Sequence, residues 1–322
     1  MQLAIVVPAH NEASNLPKLF ESLQKALAGE PEDWHVLFVD DGSSDDTLSV
    51  LEKLSRTSPR VRFLSLSRNF GQQSALTAGL DHAEGDAVVT MDADLQHPPG
   101  LLPAMLEKWR NGVEIVHTVR TKTEGVHWMK TSSSRLFYPI FGWLSETHLE
   151  CGTADFRLMD RRVVDVLRNM PERARFIRGM IGWVGFQSQV IEYTAPPRLH
   201  GGTHYTFGKM LSFAWTAIRS FSTRPLRIAT WIGLITSLFG MLYFVYVLYI
   251  RLFAQTAIPG WTSILSAILI LGGLQLFCIG VLGEYLALVF EESKHRPLYV
   301  IRKTGNLASG KRSPSAIGEK PG

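Results

Sequence analysis

Residues 228–250 carry no formal charge, and residues 261–283 carry none either. A helix of about 23 residues rises about 35 Å, enough to cross the hydrocarbon of a bilayer. Only residues 251–260 separate the two stretches, so they read as a transmembrane hairpin occupying about residues 227–290, with both flanks on one side of the membrane. Gly272, Gly273, Gly280 and Gly283 read as small residues for close helix contact, and they permit a homo-oligomer, dimer or tetramer.

The distribution of lysine and arginine assigns the side. Arg219, Arg224 and Arg227 precede the first stretch and Lys294, Arg296, Arg302 and Lys303 follow the second, whereas the connector holds Arg251 alone. The positive-inside rule then places the N-terminal region and the C-terminus in the cytoplasm, against the inner (cytoplasmic) membrane. Met1 leads directly into LAIVVP, so no signal peptide is evident. Two cysteines, Cys151 and Cys278, make no disulfide framework, which fits a reducing compartment. The formal charge of +4 is explained by basic flanks facing anionic lipid, and nucleic acid is not an expected partner. Residues 206–226 place Met210, Leu211, Phe213, Ala214, Ala217, Ile218 and Phe221 on one side, the pattern of an amphipathic helix lying in the membrane interface or packed on the soluble domain. Residues 291–322 read as a cytoplasmic tail, disordered from Gly305 onward where Ser, Gly, Lys and Pro dominate.

Residues 1–205 have a different pattern. Apolar runs at 3–7, 36–39, 61–66 and 87–91 read as strands, and each ends in a polar loop followed by a helical pattern, at about 15–27, 47–54, 72–82 and 101–109. Strands alternating with helices in this way specify an α/β fold around a doubly wound, mostly parallel sheet, with the working loops at the carboxyl ends of the strands. Asp40, Asp41, Asp92 and Asp94 all fall on that edge. In extended backbone Asp92 and Asp94 point the same way, a pair suited to a divalent cation whose other positions go to phosphate and water. Two solvated loop carboxylates are the plain alternative for a tripeptide this short, as an Asx turn is for Asp40 and Asp41.

PAHNE at 8–12, DDGSSDDT at 40–47, SRNFGQQSALTAGL at 67–80 and DADLQHPP at 92–99 resemble the successive motifs of family 2 glycosyltransferases with the Rossmann-like GT-A fold. GTADFRLMDRR at 152–162, FIRGMIGWVGF at 176–186, FSTRPLR at 221–227 and the terminal hairpin are similar to bacterial polyisoprenyl-phosphate glycosyltransferases of the prophage bactoprenol type, relatives of dolichol-phosphate mannose synthase. The resemblance implies inverting transfer of a hexose from a nucleotide sugar to undecaprenyl phosphate or another polyprenyl phosphate. UDP-glucose is the preferred donor, with GDP-mannose or an aminoarabinose donor open. It also implies Mg²⁺ or Mn²⁺ at Asp92 and Asp94, with Gln96 holding a carboxylate or a metal-bound water, and Pro8, Glu12, Asp40, Asp41 and Arg198 at the nucleotide. Asp155 would stand near the reacting carbon, or pair structurally with Arg157.

A phosphate monoester is already nucleophilic and needs cations to position it more than it needs a base. Arg120 ends a strand-like run, and Lys130 and Ser134 share a face if residues 126–138 are helical, where relatives place basic and hydroxyl groups; Arg135 is a substitute. His204 stands where relatives commonly carry Lys. A processive polysaccharide synthase and a non-catalytic membrane-anchored nucleotide-sugar binding protein are the competing readings. Two spans are few for a polymer channel, and the intact Asp40, Asp92, Asp94 and Arg198 argue against the second.

Overall fold

The computed structural model describes residues 1–122, 153–173, 175–194, 223–249, 253 and 260–307. The chain divides into two compact units, one including the described residues up to 194 together with 296–307, the other including 223–249 and 260–295. Lys130, Ser134, Arg135, Arg198, His204 and residues 206–222 of the expected interfacial helix lie outside the described residues, and residues 224–226 of that segment belong to the first apolar helix.

The first unit is built on a sheet ordered β7-β5-β6-β4-β1-β2-β3-β8. Its strands are β1 (Gln2–Ala9), β2 (Asp33–Asp40), β3 (Val61–Leu66), β4 (Ala87–Thr90), β5 (Ile115–Lys122), β6 (Thr153–Asp160), β7 (Ser188–Thr194) and β8 (Ile301–Gly305). β1 to β4 are mutually parallel where they pair, whereas β6 runs antiparallel to β4 and β5, and β8 antiparallel to β3. The sheet is therefore mixed around a parallel centre. Alternate residues of β2 serve opposite faces: Val36 and Phe38 join one apolar core, Leu37 and Val39 the other. Three helices cover the first face, α1 (Leu16–Ala26), α2 (Thr47–Thr57) and α4 (Leu102–Arg110). α1 shows why it forms: Leu16, Leu19, Phe20 and Leu23 recur on one stripe and are all buried, and Pro17 occupies its first turn. α3 (Gln72–His82) covers the other face and is buried almost all round from Ala75 to Leu80. Gly79 permits that closeness, because a Cβ there would lie 2.2 Å from Val6 Cγ1. α5 (Arg161–Asn169) and α6 (Ile177–Val184) complete the unit.

The tail expected over 291–322 is corrected at two places. The second apolar helix continues to Ser293, and residues 301–305 return to the first unit as β8. Ile301 pairs Leu66 and Gly305 pairs Phe63, the Ser67 N–H donates to Val300 O at 2.8 Å, and Tyr299 Oη donates to Asp81 Oδ2 at 2.9 Å. IRKTG escapes sequence reading because an edge strand needs only backbone pairing, and its basic side chains face water, where charge discourages further pairing.

The second unit holds α7 (Arg224–Tyr249) and α8 (Trp261–Ser293). Both are long and apolar enough to cross a membrane, and their large side chains are bare: Phe239 is 68% exposed and Leu276 71%. A helix in a water-soluble core would bury such residues. The helices meet where Cys278 Sγ lies 3.8 Å from Ala229 O, beside the buried Val281. Among the described residues the expected glycine contact is not what joins them: a Cβ added at Gly272, Gly273, Gly280 or Gly283 would meet none of these within 4 Å. Small residues permit close approach, but here the facing positions are Ala229 and Cys278.

The buried His35 and the half-buried His117 give the first unit an acid limit. Both ring nitrogens of His35 and Nδ1 of His117 lack a hydrogen-bond partner among the described residues, and burial pushes each imidazole down to about 4. The Arg62 charge adds to the effect at His35, and Arg157 at His117. Unfolded, each takes a proton near its ordinary value of 6.5, so the unfolded chain binds more protons between the two values. Stability is full above about pH 6.5 and falls as pH drops toward 4, by up to ~3 kcal/mol per histidine. Thermal melts in detergent should show this slope, and His35→Leu should flatten it; an unchanged slope would refute the assignment.

Candidate active site

The carboxyl ends of β1, β2 and β4 are adjacent in the sheet, which brings together the loops expected to carry function. Asp40 ends β2 and is 1% exposed; its Oδ1 accepts from the Ser43 N–H at 3.0 Å and its Oδ2 from Ser65 Oγ at 2.8 Å. Asp41 accepts from the backbone N–H groups of Phe70 at 2.7 Å and Gly71 at 2.9 Å. These two carboxylates therefore stitch neighbouring loops. Gly42 follows with φ +61°, and a Cβ there would meet the Arg68 carbonyl carbon at 2.2 Å, so this turn needs glycine. His10 Nδ1 donates to Asp41 O at 3.0 Å, and its Nε2 accepts from Asn69 Nδ2 at 3.2 Å. Pro8 lies on β1 opposite Val39. Glu12 N–H donates to Thr47 Oγ1 at 2.9 Å, and its carboxylate accepts from Asn15 Nδ2 at 2.5 Å. Burial and then the charge of Asp94 raise the Glu12 carboxyl above its ordinary value.

The loop after β4 is tightly folded. Asp92 N–H donates to His97 Nδ1 at 3.0 Å, Gln96 N–H donates to Asp94 Oδ1 at 3.1 Å, and Leu95 between them takes φ +62°, a left-handed conformation unusual for leucine. The Gln96 bond to Asp94 is a local one made by the backbone of the loop. His97 is 6% exposed and stacks on Phe156 of β6 at 5.3 Å. With Nδ1 accepting, its proton sits on Nε2, which lies 3.8 Å from Asp92 Oδ2. Gln72 Nε2 donates to Asp92 Oδ1 at 2.9 Å.

Asp155 enters from the antiparallel strand. Thr90 pairs Arg157, so continuing that register by two residues sets Asp155 across from Asp92. Arg178 of α6 grips Asp155 as a fork, Nε to Oδ1 at 2.7 Å and Nη2 to Oδ2 at 2.8 Å, and the buried Arg157 adds Nη2 to Oδ1 at 3.2 Å. Burial alone would raise the Asp155 carboxyl; the Arg178 hydrogen bonds and charge, with Arg157, hold it below its ordinary value. Asp92 goes the other way. Burial first, then the charges of Asp155 and Asp94, push it up to about 7. Crowded oxygen donors that resist ionisation together are a setting into which a hard divalent cation fits. Among the described residues no three carboxylate, imidazole or thiol groups are close enough to hold a metal unaided. Any ion here would complete its shell with phosphate and water.

Arg120 lies on β5 opposite Tyr193 of β7. The expected pairing of Asp155 with Arg157 is present, but the closer partner is Arg178, which sequence reasoning missed together with Gln72 and His97. His97 lies inside the quoted motif and was legible as a neighbour. Arg178, 23 positions beyond Asp155, becomes a partner only through the packing of α6.

The chain matches the model of glycosyl transferase family 2 over residues 4–168 and that of the GtrB C-terminal hairpin over residues 224–289. An uncharacterized glycosyltransferase of Bacillus subtilis, YkcC, is 40% identical over 304 residues, 94% of each chain. The bactoprenol glucosyl transferase of Shigella phage SfV is 39% identical over 302 residues, 94% of this chain and 98% of that one. A prophage bactoprenol glucosyl transferase homolog of Escherichia coli is 37% identical over 303 residues, 94% of this chain and 99% of that one. Loops that converge at the ends of a parallel sheet, an apolar hairpin and these near full-length matches agree, and the chain belongs to glycosyl transferase family 2 and is a glycosyltransferase.

Proposed function

We propose that this glycosyltransferase moves glucose from UDP-glucose to a polyprenyl phosphate of the undecaprenyl class, with inversion, at the cytoplasmic face of the inner membrane. The observation that carries this reading is the extent of the likeness to bactoprenol glucosyl transferases: it covers 94% of the chain, including the region of the apolar hairpin. A lipid acceptor gives that hairpin a purpose, because it keeps the enzyme where the phosphate emerges. The basic residues on both flanks support a multi-pass arrangement with both flanking segments on the cytoplasmic side.

Asp92 and Asp94 would hold Mg²⁺ or Mn²⁺, which when bound neutralises the charge that grows on the departing diphosphate. Asp40 and Asp41 fix the loops around the nucleoside through their grip on residues 43 and 70–71, with Pro8 and Glu12 on the same rim. Asp155, kept ionised by Arg178, faces the sugar and favours the positive charge that develops at its anomeric carbon. Gln96 closes the loop on Asp94. Arg120, Lys130 and Ser134 would receive the acceptor phosphate, and Arg198 the diphosphate.

Purified full-length protein in detergent would be given polyprenyl phosphate, Mg²⁺ or Mn²⁺ and, separately, UDP-glucose, GDP-mannose and an aminoarabinose donor. Label is expected to enter the lipid phase from UDP-glucose and to stop with EDTA. Transfer from another donor alone would overturn the sugar assignment and keep the acceptor. Nucleotide binding without transfer from any donor would favour the non-catalytic reading.

A further inference from the structure

Gln72 and Gln73 form the first turn of α3, directly after Gly71, whose φ is +96° and whose N–H is held by Asp41. The two amides face different partners. Gln72 Nε2 donates to Asp92 Oδ1 at 2.9 Å. Gln73 Oε1 accepts from the N–H of Ile177 at 3.1 Å, the first residue of α6. The next residue, Arg178, grips Asp155 with both ends of its fork, and the β4–β6 register, continued two residues past the Thr90–Arg157 pair, sets Asp155 across from Asp92. Hydrogen bonds and sequence adjacency link Asp92, Gln72, Gln73, Ile177, Arg178 and Asp155, and the β4–β6 register continued past Thr90 closes this chain into a ring.

We infer that Gln72 and Gln73 are positioning residues that set the spacing between Asp92 and Asp155, and so between the diphosphate end of the donor and its reacting carbon. The inference rests on the proposed roles of these two carboxylates. Three features support it. The paired amides are adjacent in sequence, so neither side of the ring moves without the other. Their turn is anchored from behind by Asp41, which lies 4% exposed. The ring also crosses between elements with no covalent reason to keep register, the loop just past β4 at Asp92 and a helix start at Ile177. An amide donor on Asp92 Oδ1 additionally fixes the carboxylate plane, as partners behind metal-binding groups do.

The test uses full-length Gln73→Ala, Gln73→Glu and Gln72→Ala in detergent, with melting temperature, kcat and KM for the active donor, and Mn²⁺ affinity by electron paramagnetic resonance. Gln73→Ala is expected to lower kcat about tenfold with donor KM within about twofold. Gln73→Glu keeps an oxygen for the Ile177 N–H and should restore most of the loss. Gln72→Ala should weaken Mn²⁺ about tenfold. Equal kcat in Gln73→Ala and Gln73→Glu, a loss confined to KM, or unchanged Mn²⁺ affinity in Gln72→Ala would overturn the ring. The Mn²⁺ measurement needs no turnover, so a wild-type protein inactive with every donor defeats the functional reading while this arm still decides the role of Gln72 at Asp92.

Discussion

Asp94→Ala is expected to reduce transfer into lipid by about a thousandfold, the scale on which loss of one group that stabilises transition-state charge is felt. The carboxylate has two separable duties: Oδ1 accepts the Gln96 N–H at 3.1 Å, and its charge bears on Asp92 and Glu12. Asp94→Asn keeps an oxygen for Gln96 and discards the charge. If charge toward a cation is the function, both variants lose activity alike, and Mn²⁺ affinity falls with it. If Asp94 only ties the loop, Asp94→Asn works nearly as well as wild type, and that outcome would sink the metal assignment. Asp94 is half-buried at a loop, so the melting temperature of the asparagine variant should hardly move.

The parts legible in the sequence are those governed by local rules. Val61–Leu66 and Gln72–His82 occupy the residues expected of them, because apolar runs bounded by polar turns leave few alternatives. Asp92 and Asp94 announce themselves by sitting where a buried strand ends. Asp155 is legible as a residue but not as a neighbour of Asp92, since that proximity follows from β6 running antiparallel to β4, and spacing along the chain does not encode strand direction. Arg178 and Gln73 depend on how α6 docks, a tertiary matter. The return of Tyr299 and β8 to the sheet was hidden for another reason: IRKTG has the composition of a solvated tail and joins through its backbone. The same distinction separates Asp40 from Asp92. Asp40 ends β2 with both oxygens engaged by Ser43 and Ser65, whereas Asp92, two residues past β4, has Oδ1 on Gln72 and otherwise faces other acids.

Asp155→Ala should be the most destabilising single change in this site. The carboxylate is 6% exposed and faces two guanidinium groups, Arg157 at 2% exposure and Arg178. Removing one member of a buried ion pair leaves charge without its counterion and costs ~3 kcal/mol, about 8 °C in melting temperature for a unit of this size. Asp155→Asn retains a hydrogen-bond acceptor and should recover part of that loss, while transfer stays low if the charge acts on the sugar. The pH dependence follows from the sign of the shift. Because the folded carboxyl lies below its ordinary 3.8, the deficit of Asp155→Asn relative to wild type is full above that value and shrinks as pH falls through the folded value. A deficit that instead grew on acidification would mean Asp155 is protonated in the fold, and the Arg178 fork would then hold a neutral acid. Arg178→Lys separates the remaining possibilities. It keeps the positive charge and loses the two-pronged geometry, so stability should fall less than in Asp155→Ala while kcat falls with it, since a single ammonium leaves the carboxylate free to rotate away from Asp92.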